Sequence, residues 1–207
     1  MSTDKPTPSP AGVALHARLQ AYIGRGGDRQ MKARDPVTAE AIKMVANAVG
    51  DRNPVYTDAD YAAKSVHGGI VAPPSSVIWW HRAMFEPVDS SDWIDEQGTP
   101  HFRLEPNPAR QVGLRETENG LLAEVVQLMA DAGYTSLAVT GSDTTVNRYP
   151  RMGDLLCCQG PTIESIVGPK KTSLGEGFFS TSSYKLVDAK GEQVAAWTTT
   201  RIHFAPA

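Results

Sequence analysis

The last third of the chain contains four segments rich in Thr, Val, Ile, Tyr, Phe and Ser, residue types that favour β-strands. The segments are separated by Gly/Pro-containing or charged turn signals at 150–153, 168–171 and 188–191, so we expect antiparallel pairing. Helix-favouring segments precede them, an order typical of an α+β domain. The four predicted strands span residues 136–149, 154–167, 176–187 and 193–204.

Alternation within the last two predicted strands assigns their side chains to faces of the sheet. Phe178, Ser180, Ser182 and Tyr184 share one face of the third strand. In the fourth strand one face carries Ala195, Trp197, Thr199, Arg201 and His203.

The first part of the chain predicts helices with recognisable ends. Thr38 can cap a helix over 38–49 whose apolar residues recur at helical spacing, and Gly50 stands where a C′ glycine ends such a helix. Asp58 can cap a further turn over 59–64. Three more helices are predicted over 13–24, 75–85 and 121–132.

The predicted helix at 75–85 is apolar nearly all round, which is typical of a buried helix, and Trp79 and Trp80 are expected in the core. Pro73 and Pro74 precede it, where proline is tolerated. Residues 86–119 are polar and proline-rich, and we interpret them as an irregular insertion. We therefore expect a disordered tail at 1–12 and one domain over 13–207.

Composition limits the kinds of partner and compartment. The 207 residues carry a net charge of −3, which gives no bulk attraction for nucleic acid or anionic lipid. No apolar run approaches the roughly 20 residues that cross a membrane, and the N-terminal segment lacks the apolar core of a signal peptide. Cys157 and Cys158 are adjacent and have no metal-ligand spacing. We expect a cytoplasmic protein with no metal site.

Three segments carry a family resemblance. Residues 50–56 read Gly-Asp-Arg-Asn-Pro-Val-Tyr, residues 68–74 read Gly-Gly-Ile-Val-Ala-Pro-Pro, and residues 147–154 read Asn-Arg-Tyr-Pro-Arg-Met-Gly-Asp. In this order they resemble the MaoC-like (R)-specific enoyl-CoA hydratases, in their FAS1-like dehydratase branch. Residues 132–136 and 167–177 are similar to the MaoC domain of the larger subunit of two-component steroid side-chain enoyl-CoA hydratases. The resemblance runs from about residue 34 to the end, outside 86–119.

The resemblance implies a hot-dog fold, in which a curved antiparallel sheet wraps a long helix and two hot dogs lie side by side. It implies an acyl-CoA ligand at their junction and the reversible addition of water to a 2-enoyl thioester. In the family an Asp and a His hold the water and move its proton, while a backbone N–H stabilises the thioester oxyanion. Coenzyme A belongs to the substrate, and no separate cofactor is implied.

The chain departs from this active pattern at two positions. Asp51 is present, but Tyr56 stands where the active pattern has His, and tyrosine with a pKa near 10 is a poor base at neutral pH. Pro74 stands where active members have a glycine whose N–H faces the oxyanion, and proline has no N–H. Ser75 supplies the first amide after it. Loss of one oxyanion donor costs roughly 10²–10³ in rate, so we expect this chain not to catalyse by itself.

Structural interpretations stay open beside these functional ones. Asp51 and Asn53 can simply turn the chain after the helix, as Asx residues commonly do. His67 is interpreted either as a base displaced from the position that His has in the active pattern or as an ordinary loop residue. Lys170 and Lys171 can meet CoA phosphates or lie at a hairpin tip. His81 and His203 are expected to be structural.

The acyl-CoA site predicted from the resemblance is larger than the degenerate Asp51, Asn53 and Tyr56 motif. Its predicted binding residues are Tyr56, Gly69, Val71, Ala72, Pro73, Ser75, Arg148, Lys170 and Lys171.

The leading hypothesis is a subunit of a heteromeric enoyl-CoA hydratase that forms the pocket for a bulky acyl group. A smaller MaoC-like partner with an intact Asp/His pair would complete a heterodimer or heterotetramer. The alternatives are a self-sufficient homodimer using Asp51 and a non-enzymatic acyl-CoA-binding protein. Larger steroid-hydratase subunits often carry a second domain, and since the sequence stops after the last predicted strand, we expect that function to be absent or on another polypeptide.

Overall fold

The computed structural model describes residues 9–33, 35–80 and 120–205. Five antiparallel strands form one sheet in the order β1-β3-β4-β5-β2. The strands are β1 (Gln30–Lys32), β2 (Ser136–Val146), β3 (Cys157–Thr172), β4 (Gly175–Val187) and β5 (Gln193–Ala205). The helices are α1 (Pro10–Leu19), α2 (Ala39–Ala48), α3 (Ala59–Lys64) and α4 (Leu121–Asp131), with 3₁₀ turns at Gln20–Tyr22, Pro54–Tyr56 and Pro74–Ser76. This arrangement confirms the α+β class.

The four long strands agree with the sequence prediction, but one turn signal is wrong. Residues 168–171 lie inside β3, because a register shift between Val167 and Lys170 accommodates the glycine and the proline without ending the strand. Lys170 and Lys171 pair with β4 near the β3–β4 turn instead of forming its tip. β1 was not predicted, because three residues show no alternation.

Several helix ends follow the predicted capping. The Thr38 hydroxyl accepts a hydrogen bond from the Ala41 amide at 3.2 Å, and Gly50 takes a φ of +71° just beyond the C-cap of α2. The Asp58 carboxylate accepts one from the Tyr61 amide at 2.9 Å at the start of α3. Gly133, with φ +92°, follows α4.

Two helix predictions are corrected. α1 begins at Pro10, capped by Ser9, so the last residues of the predicted tail are helical, and α1 ends at Leu19 rather than near residue 24. After Pro74–Ser76 the chain continues as turns through Trp80, not as the predicted α-helix. Ser76 accounts for this, because its hydroxyl donates to the Pro73 carbonyl and accepts from the Trp80 indole N–H. The predicted insertion 86–119, residues 81–85 and His81 lie outside the described residues.

Among the described residues, most buried apolar side chains form two clusters on one face of the sheet, which we call the inner face; it carries Phe178, Tyr184 and Trp197. The first cluster joins α2 and the 55–77 segment to Tyr184, Leu186, Ala195 and Trp197. The second joins α1 and α4 to Ile163, Ile166 and Phe178. The clusters therefore cover opposite ends of the strands. Trp79 and Trp80, expected in the core, are only half-buried, and Trp80 packs against the first cluster.

A hydrogen-bonded group fastens the start of α1 to the sheet. The Glu176 carboxylate accepts from the Ser9 amide at 2.9 Å, the Ser9 hydroxyl at 2.6 Å and the Tyr134 hydroxyl at 2.6 Å. Burial tends to raise the pKa of Glu176, but these hydrogen bonds outweigh it and hold the pKa below its ordinary value. A Cβ at Gly12 would lie 2.7 Å from the Tyr134 hydroxyl, so only glycine permits this approach.

We expect Glu176→Gln to lower the free energy of unfolding by about 1–2 kcal/mol at pH 7, because two hydroxyls lose a charged acceptor. A lowered carboxyl pKa stabilises the fold above the pKa of the unfolded chain and ceases to do so as pH falls through the folded pKa. The difference from wild type should therefore shrink once the pH falls below the ordinary glutamate pKa of about 4.3 and disappear at pH values below the lowered folded pKa. Urea unfolding at several pH values measures it, with exposed Glu192→Gln as control. A difference that persists unchanged in acid would contradict this interpretation.

Candidate functional site

The segment after α2 is shaped by two Asx turns. The Asp51 carboxylate accepts a hydrogen bond from the Asn53 amide at 3.0 Å, and the Asn53 side-chain oxygen accepts one from the Val55 amide at 3.1 Å. These contacts hold the 3₁₀ turn Pro54–Tyr56. These hydrogen bonds agree with the interpretation that Asp51 and Asn53 turn the chain after the helix. A water-holding role for Asp51 stays a prediction.

Tyr56 is a buried side chain of the first core cluster, only 4% exposed. Burial, then the charge of Asp51 and a hydrogen bond to its carboxylate, raise the pKa of Tyr56 to about 12. At neutral pH the phenol is therefore protonated. It can donate a hydrogen bond, but it cannot take a proton from water.

The segment that begins at Val71 is held by the loop before β3. Val71 forms a β-bridge with Arg151, and the Ala72 amide donates to the Pro150 carbonyl at 2.8 Å. Both side chains are buried, as is Pro73, whereas Gly69 is half-buried. Val71 and Ala72 share the first core cluster with Tyr56, so the structure brings this part of the predicted site together.

The 3₁₀ turn Pro74–Ser76 presents one unpaired amide. Pro74 has no N–H, the Ser76 amide donates to the Pro73 carbonyl at 3.0 Å, and the Val77 amide donates to the Pro74 carbonyl at 3.3 Å. Within the described ranges no acceptor contacts the exposed Ser75 amide. As expected from the sequence, Ser75 supplies the available donor here.

Arg148 has a different role from the predicted one. Its guanidinium contacts Asp154 at 2.6 Å and Asp188 at 2.9 Å, so two carboxylates already surround its charge. Asp154 also accepts a hydrogen bond from the Arg151 amide at 2.8 Å. These contacts favour a structural task over binding of acyl-CoA: Arg148 fixes the loop whose Pro150 carbonyl holds Ala72.

His67 lies at the same edge of the site. Its ring stacks on Tyr149 with centroids 4.7 Å apart, and Tyr149 packs against the core cluster that contains Tyr56. His67 therefore belongs to the neighbourhood of Tyr56, and its use as a base stays a prediction.

Lys170 and Lys171 lie far from this group within the chain. Cys158 packs in the cluster that contains Tyr56, and Lys170 follows it 12 positions along the same strand. A straight strand of that length spans roughly 40 Å, which the register shifts reduce. The Lys170 ammonium lies 5.9 Å from the centre of the Phe179 ring. Within this chain, Lys170 and Lys171 therefore do not lie in the same site as Tyr56.

His203 is a structural residue, as expected. It is 1% exposed, and its Nε2 lies 3.2 Å from the Ser180 hydroxyl. Burial and the nearby charge of Arg201 lower the pKa of His203 to about 4, so the ring is neutral.

The described helices include none long and apolar enough to span a bilayer.

Comparison with known proteins places these features in context. The family model described as FAS1-like, dehydratase domain region, matches residues 25–99. A probable enoyl-CoA hydratase alpha subunit from Thermomonospora curvata is 32% identical over 196 residues, 95% of this chain and 54% of that protein. The 3-oxo-4,17-pregnadiene-20-carboxyl-CoA hydratase alpha subunit of Mycobacterium tuberculosis is 30% identical over 197 residues, with the same coverage. The chain thus spans about half the length of these relatives.

Two solved structures are similar in fold. A chain of the ChsH1–ChsH2 complex from Mycobacterium tuberculosis superposes with a TM-score of 0.71 at 27% identity, covering 94% of this chain and 93% of that one. A MaoC-like dehydratase gives a TM-score of 0.54 at 22% identity, covering 90% and 43%. The second similarity concerns the fold alone.

We expect Arg148→Met to lower the free energy of unfolding by about 1–2 kcal/mol, because the Asp154 carboxylate loses its charged hydrogen-bond donor and the pair is partly exposed to solvent. Denaturant unfolding measures this, and Arg18→Met, exposed on α1, should change stability by less than about 0.5 kcal/mol. Unchanged stability together with lost affinity for acyl-CoA would instead restore the ligand-binding role of Arg148.

Proposed function

The chain belongs to the MaoC-like hot-dog family, in its FAS1-like dehydratase branch, and on that premise we propose that it is a subunit of a heteromeric 2-enoyl-CoA hydratase. Its sheet with helices on one face fits the hot-dog architecture of its structural neighbours. In this proposal it forms the acyl-CoA pocket, and a partner MaoC-like subunit supplies the catalytic Asp and His. The named relatives, both alpha subunits of hydratases, support this division.

The observation that carries the proposal is the state of Tyr56. Hydration adds the oxygen of water to C3 of the enoyl thioester and a proton to C2, so a group must accept one proton from water and a group must deliver one. Tyr56, buried and with a pKa of about 12, stands where the family pattern has the proton-carrying His. Tyr56 therefore cannot serve as the base at the position where the family pattern has one.

The thioester-binding turn supports the same conclusion. As C3 is attacked, negative charge develops on the thioester oxygen, and donors aimed at it stabilise the transition state. Pro74 removes the amide that the family pattern uses, and the Ser75 amide is displaced by one residue along the turn. In this proposal, this chain's part of the site binds and orients a thioester but does not provide the full set of hydrogen bonds to the oxyanion.

The remaining contacts suit a binding wall. Val71, Ala72 and Tyr56 lie together in the first core cluster, which is apolar apart from the phenol hydroxyl and ends beside the exposed Ser75 turn. Apolar side chains with a few polar groups are typical of sites that take the hydrocarbon part of an acyl group. The Mycobacterium tuberculosis relative is named for a steroid acyl-CoA, and we propose a comparably bulky acyl group here.

We expect the purified chain alone to hydrate 2-enoyl-CoA at least about 10³-fold more slowly than its complex with a small MaoC-like subunit, because both proton transfer and one oxyanion donor are missing. Loss of the enoyl-thioester absorbance measures the rate. The partner alone and an equimolar mixture serve as references, with steroid and simple enoyl-CoAs as substrates.

Asp51→Asn in the complex provides the matched control. The carboxamide retains an acceptor for the Asn53 amide, so the turn should persist and the rate of the complex should stay within about threefold. A fully active homodimer that loses its activity with Asp51→Asn or His67→Gln would establish the self-sufficient alternative. Binding of acyl-CoA without turnover in any complex would leave a non-enzymatic binding protein.

A further inference from the structure

On β4 and β5 the middle of the inner face is polar, although both ends of these strands carry apolar side chains and the neighbouring β3 contributes Ile163 and Ile166. Between the Tyr184–Trp197 pair of the first core cluster and the Phe178–His203 pair, the strands place Ser182 opposite Thr199 and Ser180 opposite Arg201. Side chains directly opposite or diagonal across antiparallel strands lie within about 8 Å of one another. We call Ser182, Thr199 and Arg201 the polar band.

Two atoms of the polar band are buried without a partner. Ser182 is 0% exposed and its hydroxyl makes no hydrogen bond, and the Nη1 atom of Arg201 is equally buried and unbonded in the described part of the chain. A guanidinium is charged at every physiological pH, and a buried charge is normally paired. Buried polar atoms without partners are rare in folded proteins, so this pair calls for a ligand.

The neighbouring groups do not supply that ligand. Ser180 is already engaged with His203 at 3.2 Å. His203 itself is neutral, because burial and Arg201 lower its pKa to about 4, so Arg201 is the cation of this region. Thr199 and Arg201 retain partial exposure, whereas the Ser182 hydroxyl and the Nη1 atom are covered, so a ligand would reach these two atoms past Thr199 and the outer part of Arg201.

The position of the polar band relative to the candidate site suggests which molecule reaches it. Trp197 stacks on Tyr184 with centroids 5.2 Å apart, and both pack in the cluster that contains Tyr56 and Ala72. Arg201 lies four positions farther along β5, about 13 Å for an extended strand. An acyl group entering beside Ala72 and passing Trp197 would therefore reach Arg201 at its far end.

We propose that Arg201 and Ser182, with Thr199 beside them, bind a hydrogen-bond-accepting oxygen at the far end of the acyl group, and this rests on the proposed function. The oxygen belongs to a carboxylate or a ketone. A carboxylate would be held more tightly, because charge-assisted hydrogen bonds to a guanidinium are roughly twice as strong as neutral ones. The polar band thus selects acyl groups that carry oxygen away from the thioester.

The test measures equilibrium binding of three saturated, unreactive acyl-CoAs of equal length to the complex with the small MaoC-like subunit. They end in a methyl group, a methyl ketone and a carboxylate. We expect Arg201→Met to weaken binding of the two oxygen-bearing ligands on the order of 10- to 100-fold and to leave the methyl ligand unchanged. Ser182→Ala should give a smaller loss of about 2- to 10-fold. Arg18→Met, a change at an exposed position of α1, is the control.

Thermal unfolding of the unliganded complex separates binding from a structural role. Removal of an unpaired buried charge should not lower stability, whereas removal of a structural arginine should. Equal losses for all three ligands, or a less stable Arg201→Met complex with no ligand preference, would overturn the inference. So would a wild-type complex that binds the three ligands equally.

The hydration rate, measured on the corresponding 2-enoyl-CoAs, distinguishes this inference from the proposed function. A ligand preference that depends on Arg201 in a complex without hydratase activity refutes the proposed function and supports the polar band as a binding site. Hydration at normal rates without any preference refutes the polar band alone.

Discussion

The register between β4 and β5 is the constraint on which the rest of the structure depends. It places Phe178 opposite His203 and Tyr184 opposite Trp197, so that one face of the sheet receives both apolar clusters. Because side chains alternate with a period of two, a slip by one residue would turn these side chains outward and remove the support for α1, α4 and the 55–77 segment. The same register places Ser182 and Arg201 on the inner face, between the clusters. The register between β4 and β5 therefore positions both the core and the candidate ligand site.

The candidate site is a set of turns fastened to that sheet. Asx turns at Asp51 and Asn53 shape the chain after α2, and the Pro150 carbonyl holds Ala72. Arg148 stabilises the loop that supplies this carbonyl through Asp154 and Asp188. The turns of the candidate site are thus fixed in detail, while the groups at two positions, Tyr56 and Pro74, are unsuited to proton transfer and oxyanion binding. This combination fits the proposed role as a binding subunit.

Much of the fold could be predicted from local signals. Strand-favouring composition identified β2 to β5, and Thr38, Gly50 and Asp58 identified helix ends, because those signals act within a few residues. Predictions failed where distant contacts decide. β1 exists because it pairs with β3, more than 120 positions away in the chain, and Lys170 and Lys171 stay inside β3 because they pair with β4.

The site was predicted less completely than the fold, for the same reason. The sequence identified Tyr56 and Pro74 by position in a motif, but the two carboxylates around Arg148 come from separate loops and become neighbours only on folding. Lys170 was grouped with Tyr56, yet the length of β3 separates them. Strand alternation placed Arg201 on the inner face, and only the folded chain shows that its Nη1 is buried without a partner.

The central claim is that this chain binds the acyl group while a partner performs the chemistry, and a crystal structure of the complex with a saturated acyl-CoA tests it most directly. The account predicts the thioester carbonyl beside the partner's Asp and His, with the acyl group lying along Trp197 on the inner face of this chain. A thioester carbonyl hydrogen-bonded to the Ser75 amide, with Asp51 and His67 beside C3, would contradict it.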